Sequence, residues 1–449
     1  MITVLKFGGT SVGTAEAFLR SAKIIASDDG GRVVVVSAMT GVTNRLVQLL
    51  DTGNAGVDEV VTFLVEKHMS VAKELISGKL LKSFTAEFNE RMDTLRSLLT
   101  TGAYDDPCFK DNISSQGERF SSLMLAYVLR SIGRESVALT SEEAGIYATG
   151  DPGLGTADLR MTAEGMRTSV RPLLLRNIVP VITGFYGRSS DGKPLTFGRG
   201  GSDYSAAVVA NCLDADCLEI WTDVDGFMSA DPRMVPEAIM IEEMNFGEAA
   251  ELAYFGAKVL HPRTVEPVRM KHIPLKVKNS FKPENQGTLI HHLRARKNEL
   301  LRCVAMKADL SIITISSSEI AYRPRMVARI IDKIADAGVT VYAISTSLST
   351  VALLINNPDV KITLKHLNIL APDDIERIEV KSNMAMICAV GDDLLQRCGA
   401  SAEIFGAVHE AGANVELISE GASEVSLNFV VPSSMALDVI RTLHRKFVK

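Results

Sequence analysis

Two glycine-containing stretches carry residues whose types and spacing suit an anion. The first is Gly198-Arg199-Gly200-Gly201-Ser202-Asp203. It follows the apolar run Ile178 to Phe185, which reads as a buried strand, and precedes the alanine-rich run Ser205 to Asn211, which reads as a helix. A loop that feeds a helix N-terminus offers unpaired N–H groups and the positive end of the helix dipole. Arg199 adds a planar fork that matches a carboxylate or a phosphate. The same residues would also make a plain glycine turn with a surface arginine and an aspartate cap. The second stretch is Lys6-Phe7-Gly8-Gly9-Thr10-Ser11, set between a short apolar strand, Ile2 to Phe7, and a helix, Ala15 to Ala26. It has neither the GxxxxGK[ST] nor the GxGxxG spacing. Its lysine closes the strand, and a buried ammonium is costly unless it meets an anion. The alternative is a lysine snorkelling at a sheet edge.

The elements around these loops alternate between strand and helix. Arg32 to Ser37 reads as a second strand, with Ala38 to Asn44 as its outgoing loop. Ligands of open α/β sheets bind at strand carboxyl ends, so Ser37 and Thr43 could donate into the same crevice or could serve as helix caps. Val57 to Thr101 is helical in period and reads as an insertion or lid. Ile113 to Phe120 opens a helix that runs to Ile132. Its Glu118 reads either as a surface acid favoured by the helix dipole or as the anion for a substrate ammonium. Further strands are expected at Ser136 to Leu139, Cys217 to Trp221 and Ile273 to Asn279, with helices in Ala157 to Arg176, after a strand or loop, and at Asn245 to Tyr254. The last of these helices is expected to continue through Phe255-Gly256-Ala257-Lys258-Val259-Leu260-His261-Pro262, which makes Lys258 a second phosphate-lysine candidate. Strand–helix alternation argues a mostly parallel sheet covered on both faces.

The chain has 449 residues, too many for one compact core, so roughly two to four domains are expected. It is 46% hydrophobic and 23% charged with a net charge of −6, the balance of a soluble globular protein without a basic nucleic-acid footprint. No apolar run approaches a membrane span, and Met1 leads straight into a strand without a signal-peptide pattern. The six cysteines form no CxxC pair and read as reduced thiols of a cytoplasmic protein. No side-chain cage for a metal is evident.

Lys282 to Arg302 is polar and charged and reads as a domain boundary. Beyond it lies a repeat. Asp336-Ala337-Gly338-Val339-Thr340-Val341-Tyr342-Ala343-Ile344-Ser345 matches Glu410-Ala411-Gly412-Ala413-Asn414-Val415-Glu416-Leu417-Ile418-Ser419 in pattern. Each copy reads strand, helix, strand, strand, helix, which with one more strand is the split βαβ plan.

These blocks together resemble the aspartate kinases. Lys6-Phe7-Gly8-Gly9-Thr10-Ser11 is similar to that family's N-terminal signature. Gly198 to Asp203, Trp221-Thr222-Asp223 and Phe255 to Pro262 are similar to its later blocks. The duplicated tail resembles a pair of ACT domains, and the match runs along the whole chain in order. The resemblance implies an α/β amino-acid-kinase sandwich, a mostly parallel sheet between helices, over residues 1–282, with a helical insertion at about 52–112. It implies a linker at 283–302 and two α+β, ferredoxin-like ACT domains at 303–375 and 376–449. It also implies a monofunctional enzyme, without a homoserine dehydrogenase extension, that phosphorylates the β-carboxylate of L-aspartate with ATP and its Mg²⁺. A homodimer or homotetramer formed through the ACT domains is expected.

Site roles follow from the same resemblance. Lys6 would neutralise the transferring phosphoryl group, and Asp203 would orient Lys6 or hold the Mg²⁺-bound nucleotide. Gly8 and Gly9 would supply backbone donors to the phosphates. Arg199 would take the α-carboxylate of aspartate and Glu118 its ammonium, with Ser37, Thr43, Gly200 and Ser202 completing the pocket. Thr222, Asp223, Met228, Arg233, Lys258 and Val259 would hold ATP. Met228 stands where relatives carry an aromatic ring. Regulation by lysine or threonine at the ACT domains is implied, although the loop Ser318 to Pro324 lacks glycine and Tyr342 replaces an acid. Two rival readings remain: a kinase of the same superfamily acting on acetylglutamate, glutamate, carbamate or a nucleoside monophosphate, and an amino-acid sensor built on an inactive kinase.

Overall fold

The computed structural model describes the whole chain except residues 256–258, 294–298, 319, 321, 371–374, 393, 395, 422 and 449, and except the side chains of 54, 55 and 324. The chain folds into two compact units. The first comprises residues 1–227, 242–246 and 258–293; the second comprises 228–241, 247–257 and 294–449. Two segments inside the range 1–282 thus belong to the second unit.

The first unit is built on an eight-stranded sheet in the order Glu243–Asn245, Thr288–His291, Leu275–Asn279, Cys217–Thr222, Ile2–Phe7, Gly31–Val36, Val179–Thr183, Ser136–Leu139. Every neighbouring pair is parallel except Leu275–Asn279 with Thr288–His291. The strand Thr288–His291 falls within the stretch expected to be linker. Its Thr288 and Ile290 are buried, and Thr288 Oγ1 accepts a 2.8 Å bond from the Phe227 amide. Four residues, three of them buried, inside an otherwise polar stretch were too few to signal a strand.

Ile2–Phe7 lies between Gly31–Val36 and Cys217–Thr222, so Lys6 is interior rather than at an edge. Leu5 and Phe7 enter a core with Phe18, Leu46, Phe88, Phe120 and Leu125. The helices Val57–Leu75 and Gly78–Thr101 attach to this same core through Leu64, Phe84, Phe88 and Leu95, so the insertion is packed along its length. Of the expected continuation of Phe246–Phe255 to Pro262, residues 256–258 lie outside the described residues, and His261 caps a new short turn, Pro262–Thr264.

The second unit carries a six-stranded antiparallel sheet in the order Val341–Thr346, Thr350–Asn356, Cys303–Ser316, Arg377–Val390, Ser426–Pro432, Leu417–Ser419. Its two central strands are long and bend at facing points: Asp309 and Asn383 both take φ of 61°. The register between them shifts around the same place. Ile313 and Ile315, beyond the first bend, pack with Ile330, Leu353 and Leu367. Val304, before it, packs instead with Ile387, Ile404, Phe429 and Leu443. A boundary at 375/376 therefore does not part the two modules. Residues 303–307 complete the second copy, and 377–382 complete the first, with 377–381 pairing to 312–316. This supplies the missing sixth element of each copy. No helix among the described residues is long and apolar enough to cross a membrane.

Candidate active site

Parallel strands end together, and the first unit's candidate residues gather where Ile2–Phe7, Gly31–Val36, Val179–Thr183 and Cys217–Thr222 end. Side chains alternate along a strand, so Lys6 faces away from the Leu5 and Phe7 core. It meets the helix Gly201–Leu213, where Lys6 Nζ lies 2.6 Å from Asp203 Oδ1. Both side chains are largely buried, at 10% and 16% exposure, so this ion pair is shielded from solvent screening. Asp203 is therefore not the cap of its helix; the cap position is Gly200, which has no side chain to cap with. The first amides of that helix point out of its N-terminus without intrahelical partners.

The approach of these elements depends on two glycines. At Gly184 a Cβ would stand 2.8 Å from Ser202 Cβ, which lets the strand end touch the helix start. Gly200 has φ of 72°, and a Cβ there would run into the His261 ring. Gly200→Ala is accordingly expected to destabilise the fold by about 2 kcal/mol through left-handed strain and this collision. A denaturant melt alongside an aspartate-dependent turnover assay checks it, with turnover falling further than stability because the loop holds Arg199.

The Gly8 amide donates to Trp221 O at 3.2 Å, so Gly8 does not offer its N–H to a ligand. Its φ of −73° instead opens the short turn Gly9–Val12, which leaves the Gly9 and Thr10 amides at a helical N-terminus. Of the two amides expected to be free, that of Gly8 is therefore occupied. Lys6 Nζ lies over Gly8, within 3.4 Å of where a Cβ would be.

Glu118 is in the first turn of Gln116–Ser131 and is only 3% exposed, so it is no surface acid. The Ala38 amide donates to Glu118 Oε1 at 3.1 Å, while Oε2 is buried without a partner. Burial pushes the Glu118 carboxyl up to about 8, against the Ala38 hydrogen bond and the nearby Lys6 charge. Glu118 thus keeps one buried oxygen free to accept a further hydrogen bond beside Lys6. Ser37 and Thr43 are half-buried. Ser37 donates its amide to Phe7 O at 3.1 Å, and Thr43 sits inside the helix Val42–Thr52 behind its Gly41 cap, so neither acts as a cap. Arg199 is exposed and forms no ion pair among the described residues. Thr222 bonds Asp223 at 3.3 Å beside the strand end, and Val259 is half-buried in the first unit. Met228 and Arg233 belong to the second unit, where Arg233 pairs with Asp231 at 2.5 Å. Lys258 lies outside the described residues.

Three residues shape the glycine loop without having been singled out. Buried Asp111 accepts from the Thr196 amide at 2.7 Å, from Thr196 Oγ1 at 2.8 Å and from the Gly153 amide at 3.0 Å. Arg263 donates to Phe197 O at 2.8 Å and Gly155 O at 2.9 Å, and its guanidinium lies 4.6 Å from the Tyr204 ring centroid. His261 packs on Gly200; burial lowers its pKa, against the attraction of Asp203. Asp111 sits between polar neighbours in the insertion, and no spacing in the sequence links it to Thr196.

The family model for the amino acid kinase family matches residues 1–279, and that for the ACT domain matches 387–447. The lysine-sensitive aspartokinase 3 of Escherichia coli K12 is 33% identical, over 99% of this chain and 98% of its own length. The bifunctional aspartokinase/homoserine dehydrogenase 1 of Zea mays is 30% identical, and this chain spans 50% of it. The crystal structure of E. coli aspartokinase III with aspartate and ADP, an R-state, superposes with a TM-score of 0.86 at 32% identity, covering 99% of both chains. The T-state of that enzyme, with lysine and aspartate, gives 0.84 at 32% identity over the whole of both chains. Sequence and fold agree over the full length: the chain belongs to the aspartokinases of the amino acid kinase family.

Proposed function

We propose that this chain transfers the γ-phosphoryl group of ATP to the β-carboxylate of L-aspartate, giving 4-phospho-L-aspartate and ADP. The observation that carries this reading is the shielded Lys6–Asp203 ion pair beside the buried, half-satisfied Glu118 at the strand ends. The acceptor carboxylate, with a pKa near 4, is already ionised at neutral pH. The step therefore needs no general base; it needs alignment and neutralisation of charge on the phosphoryl oxygens. A bond forms from a carboxylate oxygen to Pγ while the bond from Pγ to the ADP oxygen breaks. Lys6 Nζ stabilises the negative charge spread over the transferring group, and Asp203 holds that ammonium in place. The Gly9 and Thr10 amides and the Ser202 amide at the helix start offer further donors. Arg199 takes the α-carboxylate and Glu118 Oε2 the ammonium. Ser37, Thr43 and Ser202 line the acceptor side, while Thr222, Asp223, Met228, Arg233, Lys258 and Val259 are assigned to the nucleotide. Among the described residues no group of three or more His, Cys, Asp or Glu side chains could hold a metal ion, and Mg²⁺ is assigned to the nucleotide phosphates as part of the substrate.

Arg199 is exposed, so its pairing with aspartate is expected to contribute at the low end for a charge pair, about 2 kcal/mol. Arg199→Ala should then raise the aspartate KM about thirtyfold and leave the ATP KM within twofold. The second unit reads as two ACT modules regulating a cytoplasmic homodimer or homotetramer. The E. coli relative crystallised with lysine makes lysine the first effector to titrate, and threonine the second. The decisive experiment is ATP- and Mg²⁺-dependent acyl phosphate formation, trapped as hydroxamate, with aspartate, glutamate and acetylglutamate as acceptors. Signal with aspartate alone supports the reading; signal with another acceptor, or none, overturns it.

A further inference from the structure

The chain leaves the first unit at Phe227 and enters the second at Met228, five residues after Asp223. On the near side of that crossing Gly226 and Phe227 are held to the strand Thr288–His291. A Cβ at Gly226 would stand 2.5 Å from Thr288 Oγ1, the same atom that accepts from the Phe227 amide. On the far side, segment 228–241 is tied into the ACT unit at several points. Ser229 exchanges backbone bonds with Ile239 at 2.8 Å and with Val304, whose amide donates to Ser229 O at 2.9 Å. Ala230 and Val235 enter the apolar core of the second ACT copy with Leu443 and Phe447. Arg441 Nε donates to Met234 O at 3.0 Å.

The centre of this anchorage is a buried side-chain pair. Ser229 Oγ lies 2.9 Å from His444 Nε2 on the C-terminal helix Ser433–Phe447, and Ser229 is fully buried while His444 is 6% exposed. Ser229 Oγ also accepts from the Ile239 amide at 2.9 Å, and donating its one hydroxyl proton to His444 Nε2 is the arrangement that leaves that buried proton paired. That nitrogen must be unprotonated, and burial holds the imidazole below its usual pKa, against the pull of Glu237. Hydrogen bonds of this kind, buried and mutually saturated, fix one arrangement rather than several.

We infer that His444, with Ser229, is a positioning residue for the nucleotide: the last helix of the regulatory unit sets the place of Met228 and Arg233. This rests on the nucleotide assignment of those two residues above. It makes the nucleotide segment part of the regulatory body, so whatever displaces the C-terminal helix displaces Met228 and Arg233 with it.

The test uses the full chain with Ser229→Ala, His444→Leu and His444→Gln, whose side-chain oxygen can accept the serine proton. Steady-state KM values for ATP and aspartate are measured in parallel with ADP affinity, read from the fluorescence of Trp221, the only tryptophan in the sequence. The expected result is an ATP KM and an ADP dissociation constant raised about fivefold to tenfold in Ser229→Ala and His444→Leu. The aspartate KM should stay within twofold, and His444→Gln should lie close to wild type. Unchanged nucleotide affinity in Ser229→Ala and His444→Leu overturns the inference. So does a parallel rise of both KM values that His444→Gln does not relieve, which is what general loosening of the fold produces. Absence of aspartate turnover in the wild type counts against the proposed reaction, and the ADP titration still decides this inference.

Discussion

Lys6→Met is expected to lower kcat about a thousandfold while the protein stays folded. The methionine keeps most of the length of the side chain and removes the ammonium that lies 2.6 Å from Asp203. Removing a single preorganised donor of developing charge costs a hundredfold to about a thousandfold in other enzymes. The upper end is expected here, since the group being transferred carries its charge on three oxygens and the acceptor is itself an anion. The same change leaves Asp203 buried without its counter-charge, which should cost about 3 kcal/mol, the low end for a broken buried pair because both side chains keep some solvent access. The double variant Lys6→Met/Asp203→Asn should regain much of that stability and none of the turnover. Hydroxamate kinetics and thermal melts on the three proteins separate the roles. A Lys6→Met protein with ordinary turnover removes Lys6 from the chemistry.

Glu118→Gln is expected to raise the aspartate KM by about a hundredfold or more and to change how stability depends on pH. The carboxyl sits near 8 in the folded chain, chiefly because it is buried, against an ordinary value of 4.5. Between those values the native state holds a proton that the unfolded chain has released. Wild-type stability should therefore fall as pH rises from about 4.5 to about 8, by up to roughly 1.4 kcal/mol per pH unit from this group, and level off above. Glutamine has no such proton, so the variant should match wild type near pH 4.5 and exceed it at pH 8. Denaturant midpoints across that range check the slope. The ligand effect runs the other way. An ammonium needs the carboxylate form, so aspartate should bind more tightly at pH 8 than at pH 7 and should release protons on binding. Calorimetry of aspartate in two buffers of different ionisation enthalpy reads that release directly, and no difference between the buffers would remove Glu118 from the ammonium role.

Much of the first unit was legible because its elements obey local rules. Ile2–Phe7, Ala15–Ala26 and Ser136–Leu139 have the expected bounds, each being an apolar run or an amphipathic face ended by glycine or polar residues. The glycine loops and Lys6 were legible because a charge at a strand end and glycines before a helix are unusual on elementary grounds. What could not be read depended on partners distant in the chain. An acid in the first turn of a helix looks the same whether it is buried or exposed, and only the packing of Gly117 against Ala38 takes Glu118 inside. The Gly8 amide is committed to Trp221, a register fact invisible in either stretch. The repeat in the tail aligned helices and strands correctly but could not show that residues 303–307 and 377–382 exchange places, because a strand's identity does not name the neighbour it pairs with.

That exchange gives the tail a nested topology. Chain enters along 303–307, leaves the outer module at the Asp309 bend, builds a complete βαββαβ module and returns beside its point of departure at the Asn383 bend. Topologically the inner module is an enlarged hairpin loop of the outer one, inserted between Lys307 and Met384, whose strands are already neighbours. An insertion of this kind leaves the outer module's own chain path intact. It also means that two uninterrupted strands, and not a flexible tether, join the modules. Rotation of the inner module is delivered to the outer sheet as torsion at two facing residues, and thus to the C-terminal helix packed on that sheet.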